Sequence, residues 1–222
     1  MQYLYHSEAG SPQLTLTGEM HRYIFKVRRH KVEESIHLRN LKDGILYTYR
    51  IGFIDKRSAL LSLERQRVLE IKASTSLHLG WCVIDSKSIE KVLPSLNEMG
   101  VEKITFIYCK RSQKSFKLDL KRFEKILLNS SQQSGRSVMM QLEMAETLQQ
   151  FQEKYPQSKM LHFSETEFIS KAKAETVVIG CEGGFDEEEV GLFPPEKIIG
   201  FQTPLILKSE SAACATASIV LL

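Results

Sequence analysis

The feature that most constrains this chain is Val177-Val178-Ile179-Gly180-Cys181-Glu182-Gly183-Gly184-Phe185-Asp186-Glu187-Glu188-Glu189. An apolar run ends in a glycine-rich bend, and an acidic helix start follows. That order reads strand, tight loop, helix N-terminus. A second block, Leu205-Ile206-Leu207-Lys208-Ser209-Glu210-Ser211-Ala212-Ala213, comes shortly after. It reads extended segment, polar loop, Ala-rich helix. Two such loops in succession on an α/β sheet can build one small-molecule pocket.

The first loop has legible chemistry. Gly180, Gly183 and Gly184 let the backbone adopt positive φ and approach a ligand closely. Asp186 is the expected N-cap, and Glu188 and Glu189 complement the positive end of a helix dipole. That acidity argues against phosphate binding, and neither a P-loop nor a Rossmann glycine pattern occurs in the chain. A plain strand-to-helix turn is the competing reading of the loop taken alone.

Charge is unevenly placed. Residues 1–136 hold 24 Lys and Arg against 14 Asp and Glu, and residues 137–222 hold 6 against 13. The basic part suits a large anion, of which nucleic acid is the commonest. A hydrophobic fraction of 42% suffices for a real core. No stretch approaches the roughly 18 uninterrupted apolar residues of a membrane span, and no basic-then-apolar leader opens the chain. Cys82, Cys109, Cys181 and Cys214 are far apart and form no CxxC pair. Reduced cytosolic thiols are therefore expected, with neither a disulfide framework nor a zinc site, and a cytoplasmic location.

The element pattern changes once along the chain. Residues 1–72 read as short strands with one helix, with Asp43-Gly44 as a hairpin turn and strands over 45–54 and 59–63. Several short strands in such a span fit a small barrel. Ala73-Ser74-Thr75-Ser76 is the expected boundary. Beyond it strands over 77–84, 104–109, 159–163, 175–179 and 197–201 are expected. Helices are expected over 88–99, 121–131 and 147–155, with a final helix over 212–222. The alternation predicts an α/β domain with a mostly parallel sheet. Trp81 reads as core.

These residues also carry a resemblance. Ile179-Gly180-Cys181-Glu182-Gly183-Gly184-Phe185 and Leu207-Lys208-Ser209-Glu210-Ser211-Ala212 resemble the two signatures of the RsmE family of SPOUT methyltransferases. His21 to Arg29, Asn97 to Val101 and Gln132 to Arg136 resemble further family segments, so the likeness spans nearly the whole chain. Ser95, Gln132, Thr203, Leu205 and Lys208 depart from the family pattern. The resemblance implies a PUA-like RNA-binding barrel over 1–72. It implies a SPOUT domain with a C-terminal trefoil knot over 73–222, and a homodimer. It also implies S-adenosylmethionine-dependent methylation of N3 of one uridine in 16S rRNA, within the small ribosomal subunit, without a metal. Another RNA site, or an inactive RNA-binding adaptor, are the alternatives.

On that footing the cofactor would meet His162, Gly180, Glu182, Gly183, Gly184, Phe201, Gln202, Thr203, Leu207, Ser209 and Ala212. Glu210 and Arg111 are the candidate catalytic residues. Glu210 is either a base or a loop-orienting group, pairing with Lys208. Arg28, Arg29, Arg111 and Arg136 are the expected RNA contacts, because a guanidinium can clamp a phosphate or stabilise charge on a uracil oxygen.

Overall fold

The computed structural model describes residues 2–113, 115, 117–168 and 174–222. The chain divides into two compact units, one of residues 1–72 with 131–139 and one of residues 73–130 with 140–222.

The first unit is built on a five-stranded sheet. Its strands are β1 (Leu4–Tyr5), β2 (Gln13–Thr17), β3 (Ser35–Arg39), β4 (Ile45–Ile54) and β5 (Ser58–Val68), in the order β1-β3-β4-β5-β2. The β1–β3 pair is parallel and the other pairs are antiparallel. Alternation in Gln13–Thr17 puts Leu14 and Leu16 inside and leaves the polar residues out. With Ile24, Leu38, Tyr49, Ile51 and Leu61 they form the core of this unit. Between β2 and β3 the helix α1 (Gly18–His21) runs into a π-helical segment, Arg22–Val27. The strand expected over 59–63 is longer in the structure, because the charged stretch Glu64–Arg67 continues the ladder to β4 with exposed side chains.

The second unit carries a six-stranded sheet whose pairs are all parallel. Its strands are β6 (Ser76–Cys82), β7 (Lys103–Ile107), β8 (Gln141–Ala145), β9 (Lys159–Leu161), β10 (Ala174–Ile179) and β11 (Ile198–Ile199), in the order β11-β9-β10-β6-β7-β8. The helices are α2 (Ser86–Met99), α3 (Leu120–Ser134), α4 (Leu148–Lys154), α5 (Glu187–Val190) and α6 (Ser209–Leu221). Asp85 caps α2 through Ser88 N, so the helix starts earlier than expected, and Gly100 ends it at φ 105°. Strand β8 escaped the sequence reading. It is a sheet edge, half-exposed along its length, with no β-branched residue to mark it.

Both faces of this sheet are covered. On the face of His78 and Gly80 lies α4: a Cβ on Gly80 would stand 2.6 Å from the Phe151 ring, so only glycine admits that packing. On the other face Trp81 stacks beside Phe106 and Phe106 meets Phe123 of α3, while α6 packs against β6, β10 and α2. His78 is buried, donates to or accepts from Thr105 Oγ1 at 2.8 Å, and sits edge-on to Tyr155. Burial, assisted by Lys103, pushes it from its ordinary 6.5 down to about 4. The unfolded chain takes up this proton near 6.5 and the folded chain near 4, so stability falls as pH drops through that window. Urea midpoints measured from neutral pH to about 4 should show that fall. The slope should flatten in His78→Phe, and an unchanged slope would show that His78 does not cause it.

The expectation of four reduced thiols is corrected at one pair. Cys82 and Cys109 are joined, with a Cα–Cα separation of 5.7 Å. The parallel register sets Cys82 opposite Ile107, two residues before Cys109. A separation of 27 residues along the chain gives no hint of that adjacency. Cys181 and Cys214 are free. Among the described residues no helix is long and apolar enough to cross a membrane, and no group of three His, Cys, Asp or Glu side chains could hold a metal ion.

Candidate active site

A cavity of about 950 Å³ opens in the second unit at the C-terminal ends of β9, β10 and β11. Ligands in open parallel sheets bind in the crevice at that end. Strand β10 delivers Gly180 to Phe185, β9 delivers His162, and the segment from Phe201 to Ser209 supplies the opposite wall.

The two sequence blocks are physically tied. The Ser209 hydroxyl donates to the Gly180 carbonyl and accepts from the Trp81 indole Nε1 at 2.8 Å. Trp81 is thus core, as expected, and also holds the residue that joins the loops. Removing the hydroxyl in Ser209→Ala leaves a buried indole N–H without that acceptor. The expected loss is about 1–2 kcal/mol of stability, with weaker ligand affinity. Thermal unfolding and calorimetry check both, and a variant unchanged in both measurements would remove the tie from the site.

The glycine bend closes through Gly184 N to Cys181 O at 2.9 Å. Gly184 has φ 67°. Arg111, just beyond β7, reaches this bend and donates from Nη1 to the Gly183 carbonyl at 2.7 Å. A Cβ on Gly183 would stand 3.2 Å from Arg111 Cβ, so the guanidinium arm lies along a surface kept bare.

The acidic run after the bend has a second role that the sequence did not disclose. Asp186 caps α5, and Glu189 returns the bond in a capping box. The buried Glu189 carboxylate also accepts from Lys110 N at 2.8 Å. The Lys110 ammonium pairs with Asp186 at 3.1 Å and with Glu188. The backbone N–H of Glu189, then Lys110, hold the Asp186 carboxyl below its usual range. The acidic run therefore anchors the loop that carries Arg111. The signal available in sequence was only the charge of Lys110.

The cavity is lined by every residue expected to meet the cofactor: His162, Gly180, Glu182, Gly183, Gly184, Phe201, Gln202, Thr203, Leu207, Ser209 and Ala212. Arg111 lines it too. Leu161, Ile179 and Phe185 add apolar walls that motif reading missed. His162 stands edge-on to Phe185, and burial, then Arg111, lower its pKa. Thr203 Oγ1 accepts from Leu205 N at 3.2 Å, which turns the departing segment back on itself, and Leu205 is 73% exposed.

Glu210 lies in the first turn of α6, half-buried, and is not among the lining residues. Lys208 lines the cavity, and the two form no ion pair among the described residues. In the first unit Arg28 and Arg29 are exposed. Arg136 is 6% exposed, and its Nε donates to Val138 O at 2.9 Å. Of the arginines expected to meet RNA, Arg136 is thus the buried one and Arg28 and Arg29 are the exposed ones.

The site and fold define an RNA methyltransferase: a family model of that domain matches residues 72–221. Ribosomal RNA small subunit methyltransferase E of Helicobacter pylori is 42% identical over 99% of this chain and 99% of its own length. This chain belongs to the ribosomal RNA small subunit methyltransferase E family. The relative of the same name in Aquifex aeolicus is 23% identical, with 99% of each chain covered. Among solved structures, the fold is shared with a Legionella pneumophila methyltransferase in complex with S-adenosylmethionine. That match has a TM-score of 0.83 and 22% identity, over 99% of this chain and 96% of that one. It is also shared with the Neisseria gonorrhoeae ribosomal RNA small subunit methyltransferase E bound to the same cofactor. The TM-score there is 0.82 and the identity 19%, over 98% of this chain and 95% of that one.

Proposed function

We propose that this chain transfers a methyl group from S-adenosylmethionine to N3 of one uridine of 16S rRNA. The observation that carries the reading is the cavity closed by two loops whose ends are joined through Ser209 and Gly180. The residues present fit the cofactor. Gly184 has no heavy atom within 4 Å of where a Cβ would stand, so its backbone faces open space. Leu161, Ile179 and Phe185 give apolar surface for a heterocycle, and the glycine backbone gives polar groups for its edge.

When bound, the cofactor supplies a methyl group on a sulfonium. The chain's own residues do the rest. Uracil N3 gives up its proton to solvent water, and the Arg111 guanidinium at the cavity wall stabilises the charge that then spreads onto the uracil oxygens. Burial, then Arg111, disfavour a positive charge on His162, which suits a cationic sulfonium nearby. N3 lies on the Watson–Crick edge, so the target nucleotide enters unpaired. Glu210 is outside the cavity lining and in the first turn of α6, so we assign it to stabilising the start of that helix, and with it Ser209, rather than to accepting the proton. On this assignment Glu210→Gln weakens cofactor affinity and leaves the pH–rate profile alone. Turnover lost at undiminished affinity would make it the base instead.

Residues 1–72 are read as a PUA-like RNA-binding barrel and residues 73–222 as a SPOUT domain with a trefoil knot. The reading includes a homodimer. Exposed Leu205, Ile206, Ile219 and Leu222, along the rim and the last helix, support the dimer. The deciding experiment is mass mapping of 16S rRNA from cells with and without the protein. One methyl mark at a defined uridine is expected to vanish, and an unaltered map would sink the proposal.

A further inference from the structure

A second, smaller cavity lies wholly within the first unit. Its volume is about 190 Å³, and Tyr3, Tyr23, Arg28, His30, Ser35 and His37 are among the residues that wall it. We infer that it holds one unpaired RNA nucleotide outside the cofactor cleft, with the base against Tyr23 and Arg28. The inference rests on the RNA methyltransferase reading above and adds to its Arg28 contact a base-sized cavity and the Tyr23 ring.

Size comes first. Sites for small-molecule ligands usually start near 300 Å³, so this one admits a single heterocycle and little more. Its walls are chemically suited to a base. The Arg28 guanidinium lies over the Tyr23 ring, 5.6 Å from the centroid, and its Nε donates to the Tyr23 hydroxyl at 2.9 Å. The aromatic and the planar cation are thereby already fixed relative to each other. Both have faces on which any base can stack. His30 Nδ1 is held by Glu34, the Ser35 hydroxyl donates to Glu64, and the Nε2 atoms of His30 and His37 are the ring nitrogens left to meet a base edge. His37 is anchored by Nδ1 to Thr48 Oγ1 at 3.2 Å, and burial, then Arg67 and Arg65, lower its pKa. A neutral imidazole has both a donor and an acceptor nitrogen.

The neighbouring charges favour an attached phosphate chain. Arg29 and Lys31 follow Arg28 in the chain, and Arg65 and Arg67 stand on β5. The acidic neighbours are engaged with other side chains: Glu33 with Arg50, Glu34 with His30, and Glu64 with Ser35.

Backbone conformation gives an independent argument. Tyr23 is presented by the π-helical segment Arg22–Val27, and such segments are rare and concentrate at functional sites. The loop that follows contains Arg29 at φ 59° and Glu33 at φ 75°. Non-glycine residues in this region are strained, and such strain persists where surrounding structure requires it. Here both strained residues bracket the segment that carries His30 to the cavity.

The test is binding of a labelled 16S rRNA fragment to the full chain across a salt series. Tyr23→Ala is expected to weaken binding about tenfold or more, with an unchanged salt slope, because stacking releases no counterions. Arg28→Ala is expected to weaken it and lower the slope by about one. Tyr23→Phe keeps the ring and should stay within about threefold of the wild type. S-adenosylmethionine affinity should be equal in all of them. Should Tyr23→Ala lose its fold, photo-crosslinking of a thiouridine-substituted fragment to the wild-type chain decides. Adducts on the segments bearing Tyr23 and His37 support the inference, and adducts confined elsewhere overturn it. Equal RNA affinity in Tyr23→Ala and wild type overturns it, as does displacement of the RNA by inorganic phosphate alone at matched ionic strength. A wild-type chain that does not bind the fragment at low salt refutes the functional reading itself, and the inference with it.

Discussion

Valine in place of Gly184 is expected to abolish measurable S-adenosylmethionine binding while leaving the chain folded. Gly184 sits at φ 67°, in a region that β-branched residues essentially do not adopt. Among the described residues, none beyond its two chain neighbours has an atom within 4 Å of the new Cβ, so collision with the fold is not the cause. The backbone itself would have to leave its conformation, at about 1–3 kcal/mol. The Gly184 N to Cys181 O bond would break, and the bend that lines the cavity would be displaced. Two isopropyl methyls would also enter the space left open. Together these predict an affinity loss of about a hundredfold or more. Gly183→Val should behave similarly for a different reason, since its Cβ meets Arg111. Calorimetry on Gly184→Val showing wild-type affinity would remove the bend from the site.

The second large effect is expected at Glu189. Its buried carboxylate accepts from Lys110 N and from Asp186 N at 3.2 Å. Glu189→Ala deprives two part-buried N–H groups of their acceptor and deletes half of a capping box. A loss of about 2–4 kcal/mol is expected in urea unfolding. Activity should fall with it, because the same contact fixes the segment from which Arg111 reaches Gly183. Glu189→Gln retains one carbonyl oxygen and should fall between the two. An alanine variant with the wild-type midpoint and the wild-type rate would show that the link bears neither stability nor catalysis.

What could be read in advance was local. The bend at Gly180–Gly184, the cap at Asp186 and the turn at Gly100 each have a short-range physical cause, whereas the last helix starts at Ser209, three residues before the expected Ala212. Each is also written in adjacent residues. The residues that wall the cavity were named through the family resemblance of two continuous segments, with His162 brought in from β9. What stayed hidden depends on register between distant strands. The Cys82–Cys109 pair exists because β6 and β7 align in parallel. The Lys110–Glu189 contact exists because the loop after β7 passes the start of α5. Strand β8 lacked both β-branched residues and a buried face, so nothing local distinguished it from loop. Arg136 looked like a surface cation because composition cannot report burial.

The hydroxyl that joins the two loops belongs to α6, which follows every strand of both sheets in the chain. Synthesis therefore completes the sheets before it makes the group that closes the cleft. A nascent chain that has reached β11 holds one wall without the other. The cleft therefore gains the hydroxyl that ties its two walls only with the last helix, Ser209–Leu221, which packs against α2, β6 and β10.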